Sequence, residues 1–168
     1  MKEDFREFEG YVFRIHYKEY SPLSIEGSKK SGGRWNRKNR YGALYTSLDK
    51  EALKAEFKKM VRRRGLKVED LFNLSITKIK VKLKKVLDLT SSEIREKFKI
   101  DLSDITSDNR KAVEKCCKVA DKARELGFEA ILSPSSADPK GKNLNIFTDK
   151  LLENSYIKQI KTESLIRI

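Results

Sequence analysis

The chain has 168 residues with a formal net charge of +13, from 38 basic and 25 acidic side chains. That length supports one domain with a real core, and no run approaches the roughly 20 apolar residues needed to span a bilayer. One histidine and two adjacent cysteines, Cys116 and Cys117, exclude a structural zinc set and a disulfide framework, which points to a reducing cytoplasm.

The opening residues, Met1 to Phe8, lack the apolar segment of a signal peptide, so export is not expected. Gly10 to Tyr17 is rich in β-formers and reads as a strand. Within it Val12 and Arg14 share one face with His16, and Phe13 and Ile15 share the other. His16 reads as polar surface. Ser21 to Asn39 reads as a long Gly-, Ser- and Lys-rich loop, a length that points to a functional role. Inside it, Gly32 and Gly33 let the backbone pass close to a ligand, and Arg34 presents a planar fork suited to phosphate or carboxylate. Trp35, the single tryptophan, reads as a core anchor.

Ala43 to Thr46 reads as a short buried strand. Ser47 is placed to cap a helix from about Leu48 to Arg64, stopped by Gly65. Ala52, Leu53, Phe57, Met60 and Val61 recur at helical spacing, and Glu56 falls inside that stripe. A carboxylate on a core-facing stripe needs a cationic or hydrogen-bonding partner. The alternative is that Glu56 lies at the stripe's edge and pairs with a surface lysine.

Leu74 to Leu87 reads as a strand or hairpin whose apolar phase slips near Thr77 and Lys78, which suggests a bulge. Helices follow at about Ser92 to Phe98 and Asn109 to Leu126, the second stopped by Gly127. Ala130 to Leu132 and Leu144 to Phe147 read as short buried strands around a Ser/Pro/Gly/Lys loop. Tyr156 to Lys161 alternates like an edge strand. The sum is a mixed α+β single domain over residues 1–168. No nucleophile elbow and no phosphate-binding P-loop is present.

Five segments, in order, resemble the RES-domain family: Phe13-Arg14-Ile15, Ser31-Gly32-Gly33-Arg34-Trp35-Asn36, Ala43-Leu44-Tyr45-Thr46-Ser47, Ala52-Leu53-Lys54-Ala55-Glu56, and Pro134-Ser135-Ser136-Ala137 with Asn143-Leu144-Asn145-Ile146-Phe147. The likeness runs from about residue 10 to 147. The family's members are typically toxins of bacterial toxin–antitoxin pairs. The resemblance implies a fold like that of ADP-ribosyltransferases, with central mixed sheets flanked by helices, and an activity that consumes NAD by hydrolysis or phosphorolysis of the nicotinamide–ribose bond. It implies no metal.

By that resemblance Glu56, Arg34 and Ser136 are the catalytic candidates, with Ser135 as the fallback should the loop be shifted by one. Arg14, Arg34, Tyr45 and Ser136 are the candidates for binding NAD. Asp138 departs from the residue type that many members carry after the Ser-Ala pair. In chemical terms the arginines suit a pyrophosphate, and Tyr45 suits stacking on the cationic nicotinamide. Glu56 suits an oxocarbenium-like ribose. Neither Arg34 nor Glu56 is a large apolar residue, so alanine at either position is expected to abolish activity and leave the fold intact. The expected partner is an antitoxin with an acidic contact face, and nucleic acid is reached only through it. Transfer of ADP-ribose to a protein is the alternative activity. A basic nucleic-acid-binding module is the alternative class, but aromatic residues are not interleaved with the bases as a stacking platform requires.

Overall fold

The protein is described by a computed structural model covering residues 5–67, 69 and 71–165. The first four residues, on which the reading of no export signal partly rests, lie outside them.

β1 (Arg6–Tyr17) is followed by α1 (Glu26–Ser31), β2 (Leu44–Ser47) and α2 (Lys50–Arg63). Next come β3 (Leu74–Asp88), three helices, α3 (Ser92–Lys97), α4 (Leu102–Thr106) and α5 (Arg110–Glu125), and the strands β4 (Ala130–Pro134), β5 (Lys142–Ile146) and β6 (Tyr156–Ser164). Among the described residues the strands form one sheet in the order β1-β2-β5-β4-β3-β6, and a further β1–β3 pairing closes the first five into a ring. One closed sheet therefore stands where separate central sheets were expected. It is mixed because β3 and β4 run parallel while the other pairs are antiparallel.

β3 makes this closure possible by its length. One edge pairs with β1 from Tyr17↔Leu74 to Arg6↔Val86. Its other edge serves β6 first and then β4, through Val86↔Ala130 to Asp88↔Leu132. Two irregularities let it change partner. Against β6 the register slips between Lys78 and Ile79, so the extra residue is Ile160 of β6. Against β1 it slips between Arg6 and Phe8, which leaves Lys84 and Lys85 of β3 opposite a single residue. The slip read near Thr77 and Lys78 thus exists, but β3 is one strand and the extra residue belongs to its neighbour.

Strand alternation sorts the core onto two faces. Val12, Leu44, Ile79, Val81, Leu83, Val86, Ala130, Leu132, Leu144 and Ile146 fill the ring. The intervening residues, including Leu87, Ile131 and Phe147, face outward and are covered by Ile94, Ile105 and the α5 stripe Cys116, Val119, Ala120 and Ala123. Trp35 joins this second core at 2% exposure, as its anchor reading expected.

Local chemistry revises several boundaries. The expected loop 21–39 contains α1, which ends at Gly32 with φ of +72°, a value that favours glycine. Asp49, not Ser47, caps α2 by accepting from the Ala52 N–H at 2.7 Å. α4, with a capping box between Asp101 and Asp104, has no counterpart in the sequence reading. β6 runs to Ser164, beyond the expected Lys161. His16 is buried at 8% exposure rather than on the surface, between the Tyr17 carbonyl at 2.9 Å and Thr77 Oγ1 at 2.7 Å.

Candidate functional site

A cleft has a volume of about 1330 Å³, and Arg14, Arg34, Tyr45, Glu56 and Ser136 all line it. Each reaches it by a different route.

Glu56 lies on α2, one helical step from the buried Leu53. Its Oε1 accepts from Ser135 Oγ at 2.6 Å, the Ser136 N–H at 3.0 Å and the Ala137 N–H at 3.2 Å. Asn143 Nδ2 at 3.3 Å and Ser136 Oγ at 3.4 Å complete the set. The edge reading, with a surface lysine as partner, is replaced by this nest of donors. The carboxylate is therefore also the peg on which the β4–β5 loop hangs. Glu56→Ala, expected to spare the fold, thus carries a cost at the loop, because the Ser136 N–H would lose its acceptor while the Ala137 N–H would keep only Ser135 Oγ at 3.2 Å.

The two serines divide their roles. Ser135 is buried, and its Oγ accepts from the Ala137 and Asp138 N–H groups at 3.2 and 3.1 Å while donating to Glu56. Ser136 lines the cleft, and its Oγ accepts from Lys59 Nζ at 3.1 Å. Ser135 thus staples the loop and Ser136 faces the open space.

Arg34 does not extend an open fork. Its Nη1 donates to the Asp104 carbonyl and its Nη2 to Asp108 Oδ1, both at 3.0 Å. Asp108 also meets Lys59 at 3.0 Å and Arg63 at 3.2 Å. A continuous chain results: Glu56, Ser136, Lys59, Asp108, Arg34. The sequence reading takes Lys59 and Arg63 only as part of a basic helix face and Asn143 only as part of a RES-like segment, and it does not name Asp108. The i, i+4 spacing of Lys59 and Arg63 on α2 was the available signal, but it reads equally well as an ordinary basic helix face.

Arg14 donates from Nη1 to the carbonyls of Pro22 and Ser24 at 2.7 and 2.8 Å. Burial lowers its guanidinium to about 10, which leaves it charged at neutral pH. Among the described residues these partners include no carboxylate, so the cation is desolvated without a counter-charge.

Tyr45 lies on β2, with Asn145 opposite it on β5. Its hydroxyl accepts from the Trp35 N–H at 3.0 Å and donates to Asn36 Oδ1 at 2.7 Å, and burial pushes the phenol's pKa up. The loop that carries Arg34 is thereby clamped to the sheet. Gly33 is required by the same clamp, because a Cβ there would sit 2.4 Å from the Tyr45 hydroxyl and 3.0 Å from Asn36 Oδ1. Gly33→Ala is expected to cost about 1–3 kcal/mol of stability through this overpacking, measured by urea denaturation, and an unchanged midpoint would contradict the clamp. Cys117 backs the loop from α5, with its thiol 3.4 Å from the Gly33 carbonyl and its pKa raised, burial being the largest cause.

The model of the RES domain matches residues 11–166. The chain belongs to the RES-domain family. The match extends the resemblance read over residues 10–147 through the whole of β6. A chain of the crystal structure of the M. tuberculosis MbcT–MbcA toxin–antitoxin complex superposes with a TM-score of 0.81 at 21% identity, covering 96% of this chain and 86% of that one. At that identity the likeness carries the RES fold. A comparison with curated proteins finds no match. Among the described residues no helix is long and apolar enough to cross a membrane.

Proposed function

We propose that this RES-domain protein is the toxin of a toxin–antitoxin pair and acts in the cytoplasm by cleaving the nicotinamide–ribose bond of NAD. The observation that carries the reading is the Glu56 carboxylate, pinned by the 135–137 loop and facing a cleft that also holds Arg14, Arg34 and Tyr45. RES membership and the fold shared with a chain of a toxin–antitoxin complex support it.

The proposed chemistry follows from the residue types. Breaking the bond to nicotinamide leaves a cationic, oxocarbenium-like ribose. A carboxylate already fixed by five donors needs no reorganisation to stabilise that cation or to hydrogen-bond the ribose. Arg14, desolvated and lacking a counter-charge, takes a pyrophosphate oxygen, and Arg34 takes another. The Tyr45 ring offers a face to the nicotinamide, with its hydroxyl tied back so that the ring is held in place. Ser136 completes the ribose or amide contacts. The ADP-ribosyltransferase-like character of the fold belongs to the same reading, as does an antitoxin whose acidic face covers this basic cleft.

The test is incubation of the purified protein with NAD, with and without phosphate, followed by chromatography of nicotinamide and the ribose-containing product. Nicotinamide release that is lost in Arg34→Ala is the expected result. Its second product distinguishes hydrolysis from phosphorolysis, and label retained on a protein would select ADP-ribosyl transfer. Absence of nicotinamide under all these conditions would overturn the reading.

A further inference from the structure

Asp108 lies in the short connection between α4 and α5, where the next residue, Asn109, supplies the cap of α5 by accepting from the Ala112 N–H at 2.9 Å. Asp108 does no capping of its own. Among the described residues its carboxylate meets only cations: Arg34 Nη2 at 3.0 Å, Lys59 Nζ at 3.0 Å and Arg63 Nη1 at 3.2 Å. All four residues line the cleft.

Three cations converging on one carboxylate leave an excess of two positive charges. The trio comes from separate elements, the Gly32–Gly33 loop and two successive turns of α2, so it is assembled by the fold rather than by local sequence. Lys59 also donates to Ser136 Oγ at 3.1 Å, which places the trio beside the loop held by Glu56. A tetrahedral oxyanion has the same charge sign and offers guanidinium and ammonium donors pairs of oxygens as a carboxylate does, with more oxygens to share among the donors.

We propose that Arg34, Lys59 and Arg63 form a subsite for a phosphate-group oxyanion, and that the Asp108 carboxylate is its built-in competitor. Asp108 keeps the cations gathered when the cleft is empty and sets a threshold that an incoming anion must exceed. It is a specificity residue in this role. A singly charged carboxylate ligand gains little by displacing an equal, whereas a phosphate or diphosphate brings more charge and more acceptors. Partial burial raises the Asp108 pKa, but the hydrogen bond from Lys59 and the charges of Lys59, Arg63 and Arg34 outweigh this and hold it below the usual carboxylate range. The competitor is thus in place at neutral pH.

The phosphate group has two possible sources, free phosphate or the diphosphate of a dinucleotide, and the test separates them. Calorimetric Kd values for inorganic phosphate and for ADP-ribose are measured with the wild type, Asp108→Asn and Arg63→Gln, with circular dichroism as the check on folding. Removal of one negative charge from the subsite is expected to tighten binding in Asp108→Asn by about tenfold, and the loss of a cation in Arg63→Gln to weaken it by a similar factor. A gain for phosphate alone assigns the subsite to free phosphate, and a gain for ADP-ribose assigns it to the diphosphate. Should Asp108→Asn fail to fold, Asp108→Ser makes the same comparison. Equal or weaker binding of both probes in a folded Asp108 variant would overturn the proposal. The measurement involves no turnover, so a gain in binding without NAD cleavage would sink the proposed activity and leave the subsite standing.

Discussion

Glu56→Gln is expected to lower nicotinamide release by about 100-fold or more while leaving the fold intact. A fixed group that stabilises developing charge is worth about that much when removed. Glutamine keeps one acceptor oxygen, and that oxygen can receive the Ser135 hydroxyl and the Ser136 and Ala137 N–H groups as Oε1 does now. What it loses is the negative charge. Glu56→Ala goes further, since the Ser136 N–H loses its acceptor while the Ala137 N–H keeps only Ser135 Oγ, at about 1–3 kcal/mol for the donor left unsatisfied. The pair of variants separates the chemical role from the role of peg. Activity should fall in both, and the urea midpoint should fall markedly only in alanine. Full activity in Glu56→Gln would remove the carboxylate from the mechanism.

The second large effect lies away from the cleft. Glu129 is fully buried, and its Oε1 accepts the Lys84 and Lys85 N–H groups at 2.8 and 2.9 Å while Oε2 accepts the Leu152 N–H at 3.0 Å. Lys84 and Lys85 are the residues left unmatched where β3 slips against β1. The bulge turns two N–H groups away from the ladder, and one carboxylate oxygen collects both. Glu129→Ala orphans three backbone donors and is expected to destabilise the protein by about 3 kcal/mol or more. Glu129→Gln should cost less, because its oxygen still serves two donors while its amide nitrogen confronts the third. Urea denaturation of both variants reads this directly, and a loss below about 1 kcal/mol in alanine would show that the bulge does not need the carboxylate.

The two buried glutamates differ in how far the sequence disclosed them. Glu56 falls inside an apolar stripe at helical spacing, so the pattern itself marks it as a carboxylate in need of partners, and the RES resemblance adds a role. Glu129 follows Phe128 at the join between α5 and β4, where no periodic pattern exists to violate. Its purpose arises only from the bulge in a strand more than 40 residues earlier. The serines make the same point. Pro134-Ser135-Ser136-Ala137 identifies the loop, but only its folding beneath α2 decides that Ser135 staples and Ser136 faces the cleft.

The elements themselves were largely set by local rules. The β-formers of β1, the stripe of α2, the Asn109 cap and glycine stop of α5, and the alternation of β6 all follow from interactions within a few residues, which a sequence displays directly. α1 and α4, at six and five residues, were missed because helices so short draw little on propensity and depend on what they pack against. By itself, then, the sequence determined an α+β chain of the RES family and named Arg14, Arg34, Tyr45, Glu56 and Ser136 as its candidate site residues. Tertiary structure alone decided that the sheet closes through β1 and β3, that Arg34 is turned onto Asp108, and that Lys59 joins Ser136 to that ion cluster. Those contacts join residues 57 or more apart, or 49 in the case of Lys59 and Asp108. Charge attraction and hydrogen bonding act through space with no imprint on local spacing, so only the folded chain reveals which partners they select.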